Sequence, residues 1–235
     1  MTVPCMRNRR GVAGLEAAIV IVVLVIVAAA LAFVVLNMGF STTQKAKTTI
    51  VASLGEASSS LEVSGMVVGS GDVSTGELEV VGIPIKIATG GESVNLSPTT
   101  AAVKYLSNTV TYDNIYAGTL TDDGDGNSDS GTAGEWLSLA AATDDAFDAG
   151  FIDADPFDGA TSPTDTKAWI YWTQNINEND ILDQGEHAVL AIAFNNADEP
   201  SALDKIRAEI IVPTGSALTI ERQIPPITTS VVDLG

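Results

Sequence analysis

Residues 17–36 read AAIVIVVLVIVAAALAFVVL, without one charged or polar side chain. As an α-helix this segment would be about 30 Å long, which matches the hydrocarbon thickness of a membrane. A helix on the surface of a globular domain has a polar face, and this segment has none. It therefore predicts a helix that is covered on every side, either by lipid or by other apolar helices.

A short basic leader, MTVPCMRNRRG, precedes this segment, and three interpretations of it are open. A secretory signal has an apolar stretch of about 7–15 residues followed by a small-residue cut site, which the following NMGFSTTQKAK matches poorly. A membrane anchor would keep the basic leader in the cytoplasm and the acidic remainder outside. A class III (prepilin-type) signal would be cut before the apolar stretch, at Arg10-Gly11-Val12.

Glu16 stands at the start of the apolar stretch, where a carboxylate in lipid is costly unless it has a partner. A cut after Gly11 would create a new amine at Val12 and make Glu16 the fifth residue of the mature chain. The carboxylate is then expected to pair with that amine, its own or a neighbouring subunit's, near the positive end of the helix dipole. The alternative is an interfacial glutamate tolerated beside the arginines of the leader.

The sequence of the mature chain predicts one long helix over residues 12–62, on the order of 75 Å in length. Its second half, residues 41–62, mixes polar and apolar side chains and should bury one face. A bundle of identical helices would make a dry filament core without disulfides, because the only cysteine, Cys5, leaves with the leader. Small side chains allow helix backbones to approach closely in such a bundle, and they are Ala28, Ala29, Ala30 and Ala32.

After Glu62 the sequence changes to short β-branched and aromatic runs between glycines, which is typical of strands and turns. The runs that predict strands are 78–89, 102–112, 167–173, 187–194, 205–212, 217–224 and 227–234. Seven to nine such strands predict an antiparallel, Ig-like β-sandwich. Residues 134–150 predict one short helix. The predicted fold is thus α+β: a signal peptide over 1–11, a polymerisation helix over 12–62, and a β-sandwich outer domain over 63–235.

Composition excludes several functions. The net charge is −19, with 11 Lys+Arg against 30 Asp+Glu, so a nucleic-acid partner is not expected. The single His187 and the loss of the single cysteine leave little support for catalysis or for a His-rich zinc site. Residues 113–186 hold 17 acidic side chains and one lysine, which indicates a solvated outer face.

The segment TDDGDGNSDSGTAGE, residues 121–135, is the sharpest candidate for a cofactor site. It places oxygen ligands at alternating positions, as calcium loops do; they belong to Asp123, Asp125, Asn127 and Asp129. Ser128 stands where an EF-hand has glycine, and Glu135 falls one residue late, so the segment is not an EF-hand. A looser calcium-binding turn and a flexible acidic loop both remain open.

Three further features have a structural and a functional interpretation. Two further segments are rich in acidic residues: FIDADPFDG (151–159) and NENDILDQGE (177–186). Either could bind a metal ion, but their Pro, Asn and Gly content favours a structural turn. Asn95-Leu96-Ser97 is a sequon for N-glycosylation, weakened by the following proline. The three tryptophans are expected to pack in the core rather than to line a sugar site.

Two long motifs at the amino terminus resemble archaeal flagellins, also called archaellins. They are RRGVAGLEAAIV (9–20) and FVVLNMGFSTTQKAK (33–47). NDILDQGE (179–186), GSALTIERQIPP (215–226) and the terminal VVDLG are similar to later parts of the same family, whereas residues 65–175 carry no match.

This resemblance implies cleavage by a prepilin-type peptidase, extraction from the membrane, and helical polymerisation into the archaellum filament used for swimming. It also implies a separate motor and assembly machinery and a location on the cell surface. Two alternatives remain: an adhesive pilin processed in the same way, and a membrane-anchored protein that binds sugar or calcium at the surface. An enzyme is a remote third choice, which paired acids in a cleft of the sandwich would revive; no enzyme is expected.

Overall fold

The computed structural model describes residues 10–58, 61–121, 134–158 and 161–235. The chain forms two compact units, Met1–Ser53 and Leu54–Gly235. The first unit is helical, and the second is built from strands around one hydrophobic core. The division at Ser53 falls nine residues before Glu62, where the texture of the sequence changes.

Helix α1 covers Arg10–Ser58, which is 49 residues or about 73 Å. The run forms a helix because every backbone amide then finds its partner inside the segment, which an apolar environment demands. The predicted end at residue 62 is too late, since Leu61–Val63 form a strand. Leu61 pairs with Ile87 and is only 5% exposed, so this stretch buries its leucine in a sheet instead of extending the helix.

The second unit contains one further helix and a series of strands among its described residues. They are β1 (Leu61–Val63), β2 (Val68–Asp72), β3 (Glu77–Ile87), β4 (Val94–Asn95), β5 (Ala102–Leu106), β6 (Thr111–Tyr112), β7 (Tyr116–Thr119), α2 (Leu139–Asp148), β8 (Lys167–Gln174), β9 (Ile181–Leu182), β10 (His187–Ala193), β11 (Lys205–Ile211), β12 (Leu218–Gln223) and β13 (Val231–Asp233). Helix α2 is the short helix predicted within residues 134–150. It begins where Ser138 Oγ accepts a 3.1 Å hydrogen bond from Ala141 N–H.

The strands form three sheets. The largest has seven strands in the order β13-β2-β3-β10-β8-β7, with β1 also paired to β3. A four-stranded sheet has the order β12-β11-β5-β6, and β4 pairs with β9. Strand β3 is long enough to pair with both β1 and β2 and still leave its other edge to β10.

The seven-stranded sheet is the middle layer of the domain. A Cβ added to Gly82 would lie 3.4 Å from Val189 Cγ1 and 3.5 Å from Leu139 Cδ1, so α2 covers this face. On the other face the ring of Tyr105, in β5, contacts the ring of Phe194, which directly follows β10. Residues 189 and 194 are an odd number of positions apart and therefore face opposite sides of an extended strand. The four-stranded sheet thus packs on the face that α2 leaves free.

The predicted α+β fold is confirmed: a long apolar helix is followed by a mostly antiparallel β-domain. Two details differ. Strands β7 and β8 run parallel, because the chain between Thr119 and Lys167 makes a long crossover that includes α2. Strands β2, β4, β7 and β9 lie outside the runs that predict strands: β2 has a VGSGD composition typical of a turn, and β4 and β9 have only two residues each.

Candidate polymerisation helix and outer-domain sites

The surface of α1 is apolar on every side over residues 17–36. Nineteen large apolar side chains between Leu15 and Val51 are each more than half exposed. The stretch Gly14–Val51 is long and apolar enough to cross a membrane by length and composition, a test that a signal sequence or a buried core helix also passes. Exposing so much apolar surface to water is unfavourable, so the helix requires a surrounding of lipid or of apolar protein.

The residues predicted for assembly lie along this exposed helix. Glu16 is exposed near its beginning. All four predicted alanines, Ala28 to Ala30 and Ala32, are exposed as well. Ala28 and Ala32 are one turn apart and share a face, which continues a stripe of apolar residues, Ile19, Val20, Val23, Leu24, Val27 and Leu31. A neighbouring helix is thus expected to approach most closely at the level of these alanines.

The polar half of α1, residues 41–58, contains threonines whose hydroxyls form hydrogen bonds within the helix. The hydroxyls of Thr42 and Thr43 donate 2.8 Å hydrogen bonds to the carbonyl oxygens of Met38 and Gly39. Thr48 and Thr49 bond in the same way, four residues back. These four hydroxyl protons have acceptors inside the helix, so the threonines can be buried against other helices without leaving an unpaired hydroxyl donor.

The predicted processing residues Arg10, Gly11 and Val12 form the beginning of α1, and their backbone is helical. A helical backbone at these positions does not test whether a peptidase cuts there. Processing at Gly11 therefore remains a prediction from the sequence.

The predicted calcium ligands, Asp123, Asp125, Asn127 and Asp129, lie outside the described residues. Glu135, at the edge of that loop, accepts a 2.8 Å hydrogen bond from Asn175 N–H through Oε1. In the described ranges 10–58, 61–121, 134–158 and 161–235, no group of three or more His, Cys, Asp or Glu side chains has the arrangement of a metal site.

The acidic turn at 177–186 is organised around one buried carboxylate. Glu186 is 1% exposed. Its Oε1 accepts a 2.9 Å bond from Ile176 N–H, and its Oε2 accepts a 2.8 Å bond from Asp183 N–H. Asp183 in turn accepts from Ser93 and Asn177. These acids close a turn, as the sequence analysis expected first.

The turn at 151–158 uses its carboxylates in the same way. Asp153 accepts hydrogen bonds from the hydroxyl and the backbone N–H of Thr164, and these bonds lower its pKa below the ordinary value. Asp155 accepts a 2.9 Å bond from Phe157 N–H. Burial raises the pKa of Asp155 more than that bond lowers it. Both side chains serve the fold of the loop.

Asn95 lies in β4 and is half-buried. Its Oδ1 accepts a 2.8 Å bond from Ser97 N–H and a 3.3 Å bond from Thr100 Oγ1. The sequon therefore forms a hydrogen-bonded turn that starts with the side chain of Asn95. Glycosylation at this position remains a prediction.

The aromatic residues and His187 have structural positions. Trp136, Trp169 and Trp172 are fully buried, which confirms their predicted place in the core. His187 begins β10 at a register shift against β8, and its carbonyl oxygen accepts a 3.2 Å bond from Thr173 Oγ1.

The structure also shows an apolar recess beside α2 and an exposed leucine, Leu203, in the turn before β11. Neither has a sequence signature, because the recess joins four distant segments and Leu203 is a single large apolar residue in a short turn. Only the folded chain brings these features into view.

The chain is similar to known proteins of one family. A model described as archaeal-type flagellin matches residues 11–222. Probable flagellin 1 of Aeropyrum pernix is 35% identical over 94% of this chain and 94% of its own. Probable flagellin 2 of Archaeoglobus fulgidus is 27% identical over 94% of this chain and 92% of its own.

Two solved structures share the fold. The archaeal flagellum of Methanospirillum hungatei strain JF1 aligns with a TM-score of 0.56 at 21% identity, over 93% of this chain and 98% of its own. Archaeal flagellin FlaB1 from Methanocaldococcus jannaschii aligns with a TM-score of 0.55 at 17% identity, over 75% of this chain and 96% of its own. With the family match over most of its length, the chain belongs to the archaeal-type flagellins, the structural subunits of the archaeal swimming filament.

Proposed function

We propose that this chain is made as a membrane-inserted precursor, is cut between Gly11 and Val12 by a prepilin-type peptidase, and then polymerises through α1 into the archaellum. The motor and the assembly machinery are separate proteins. The observation that carries the proposal is the stretch 17–36 of α1, which is apolar on all sides and exposed along its whole length. Lipid and a bundle of identical helices are the two surroundings that fit such a surface.

Glu16 has a specific part in this sequence of events. After cleavage its carboxylate lies one helical turn from the new amine of Val12, and it is exposed on α1. Pairing with the amine of an adjacent subunit would neutralise both charges within the apolar bundle, where either charge alone is costly. The carboxylate would thereby select for processed subunits, because an uncut neighbour offers no amine at this level.

Mass spectrometry of the amino terminus tests the processing step. We expect filaments sheared from cells to contain chains that start at Val12, and washed membranes to contain the precursor. Gly11→Val should block the cut and retain the chain in membranes, whereas Gly14→Ala, three residues further along the same helix, should be processed normally. Intact precursor in sheared filaments would overturn the proposed processing.

Two substitutions, one that removes the charge and one that keeps it, test the role of Glu16 in assembly. Glu16→Gln keeps the size of the side chain and removes its charge, so we expect processed subunits that do not enter filaments. Glu16→Asp keeps the charge and should retain partial assembly. Normal filaments from Glu16→Gln would show that the carboxylate has no part in assembly.

We also propose, from the sequence pattern alone, that the loop with Asp123, Asp125, Asn127 and Asp129 takes up calcium. Alternating carboxylate and amide oxygens are the ligands that Ca²⁺ prefers. Calorimetric titration of detergent-solubilised subunits with calcium should release heat and raise the melting temperature, and Asp125→Asn together with Asp129→Asn should abolish both effects. No heat from the unaltered chain would dismiss the site.

A further inference from the structure

We propose that neighbouring outer domains in the filament contact each other as a knob and a recess: Leu203 of one copy inserts into the apolar recess between α2 and strands β2 and β13 of the next copy. The inference rests on the proposed polymerisation through α1 and adds a second contact surface to it. The occupant is another copy of this same chain.

The recess is apolar and open to solvent. It has a volume of about 340 Å³, and no charged side chain lines it among the residues that the structure describes. Val68, Leu139, Phe157 and Val231 provide most of its walls. Val231 is 70% exposed although it lies in a strand, because β13 is the edge of the seven-stranded sheet. A closed apolar cavity of roughly 150 Å³ holds a benzene molecule, so this recess has room for a leucine side chain.

Leu203 is an unusual residue for its position. Its φ is +73°, a left-handed conformation that glycine and asparagine adopt far more readily than leucine. Its side chain is nevertheless 69% exposed, so packing within the domain does not account for it. The backbone is fixed on both sides, since Leu203 N–H donates a 2.8 Å bond to Ile224 O and Leu203 O accepts a 3.2 Å bond from Gln223 Nε2. The turn thus holds a large apolar side chain outward at a cost in strain.

Charge favours this pairing over other contacts between copies. The whole chain carries a net charge of −19, so two copies repel each other over most of their surfaces. A contact is least opposed where the carboxylates nearby already have hydrogen-bond partners. Both oxygens of Asp204, beside Leu203, have donors within the same molecule: Oδ2 accepts from Ser201, and Oδ1 accepts from Asn108 in the turn between β5 and β6.

The positions of the knob and the recess fit a polymer. Leu203 lies next to the end of β12, in the four-stranded sheet, whereas the recess is lined by Leu139 of α2. These two layers cover opposite faces of the seven-stranded sheet. A contact between two different surfaces of the same molecule is heterologous and repeats from copy to copy, which produces rings or helical filaments rather than closed dimers.

Disulfide trapping tests the contact in filaments from cells. The variant carries Leu203→Cys and Ser230→Cys, the latter at the exposed rim of the recess, together with Cys5→Ser. Mild oxidation of its filaments should give a ladder of dimers, trimers and larger species that a thiol reductant collapses to monomer. Neither single-cysteine variant should give a ladder. Filaments that stay intact by electron microscopy but contain only monomers after oxidation would overturn the knob-and-recess contact and leave the polymerisation of α1 unaffected.

A second variant separates assembly from folding. Leu203→Gly removes the knob and also relieves the strained φ, so the solubilised subunit should melt at the same or a higher temperature. Its filaments should nevertheless come apart at a lower temperature than unaltered filaments. Ile176→Ala, at a 66% exposed isoleucine outside the recess, is the matched control and should change neither temperature. Leu203→Gly filaments as heat-stable as the control would contradict the inference.

Discussion

The rings of Tyr105 and Phe194 lie 5.4 Å apart between centroids, tilted by 48°. Tyr105 belongs to the four-stranded sheet, and Phe194 follows β10 of the seven-stranded sheet. Both side chains are fully buried. This contact therefore joins two layers of the outer domain into one core, on the face opposite α2.

Phe194→Ala should weaken the outer domain strongly, because it removes a buried ring from the junction of two sheets. Substitutions of this kind reduce the free energy of unfolding by about 3–5 kcal/mol. Chemical denaturation followed by tryptophan fluorescence would measure the loss, since the three tryptophans report on the same core. Leu106→Ala, at an exposed position of β5, is the control and should cost about 0.5 kcal/mol or less. Similar losses in both variants would show that the ring contact is not a main connection between the sheets.

Glu186→Gln should destabilise the turn at 177–186. The buried carboxylate accepts one backbone N–H with each oxygen, from Ile176 and from Asp183. Glutamine has one carbonyl oxygen, so one of the two donors would face an NH₂ group and lose its acceptor. An unpaired buried donor costs about 1–3 kcal/mol. The same denaturation measurement should show this loss, whereas Glu178→Gln, exposed in the same turn, should leave stability unchanged.

The sequence predicted those parts of the fold whose signal is local. The long apolar run forms a helix, and the NDILDQGE segment forms a turn that includes the short strand β9, because composition over a few residues favours both. Strand β2 and the parallel pairing of β7 with β8 were missed, since tertiary contacts determine them. Gly69 illustrates why β2 was missed. A glycine in the sequence indicates a turn, but this glycine lies in a strand, where β3 approaches too closely to admit a side chain.

The candidate assembly surfaces divide in the same way. The four alanines could be named from the sequence because nothing in the run 17–36 is polar, and Glu16 could be named because it is the one carboxylate at the start of that run. The recess between α2, β2 and β13 joins residues 68, 139 and 231, which no local pattern connects. Leu203 could not be singled out either, since its left-handed φ is a property of the folded turn.

Glu79→Gln should stabilise the outer domain at neutral pH. Partial burial, followed by the nearby charges of Glu199 and Asp72, raises the pKa of Glu79 above its ordinary value of 4.5. As the pH rises past 4.5, the Glu79 carboxyl ionises first in the unfolded chain. Its contribution to the free energy of unfolding therefore falls between the unfolded and the folded pKa, and the loss of stability persists at higher pH. Melting temperatures should therefore be higher in Glu79→Gln at pH 7, and the gain should vanish below pH 4.5. A gain that is independent of pH would contradict this origin.

Asp153→Asn should show the opposite dependence. Hydrogen bonds from Thr164 lower the pKa of Asp153 below its ordinary value of 3.8, so the ionised group stabilises the folded loop. That contribution is present above the unfolded pKa and is lost as the pH falls through the folded pKa. The variant should melt below the unaltered chain at pH 7, and the two curves should converge in acid. An unchanged melting temperature at pH 7 would mean that water serves this carboxylate as well as Thr164 does.

Gly69→Ala should disrupt the pairing of β2 with β3. The added Cβ would lie 2.7 Å from Leu78 Cδ1 and 2.9 Å from Val80 O, and the second atom belongs to the backbone and cannot turn away. Overpacking of this kind costs about 1–3 kcal/mol. Gly65→Ala is the matched control, because its Cβ would meet only Pro84 Cγ at an ordinary 3.5 Å. Hydrogen exchange should show faster opening of β2, and of its other partner β13, in Gly69→Ala alone. Because both strands line the recess, filaments of this variant should also come apart at a lower temperature. Equal exchange in both variants would show that β3 can move aside to admit the extra methyl group.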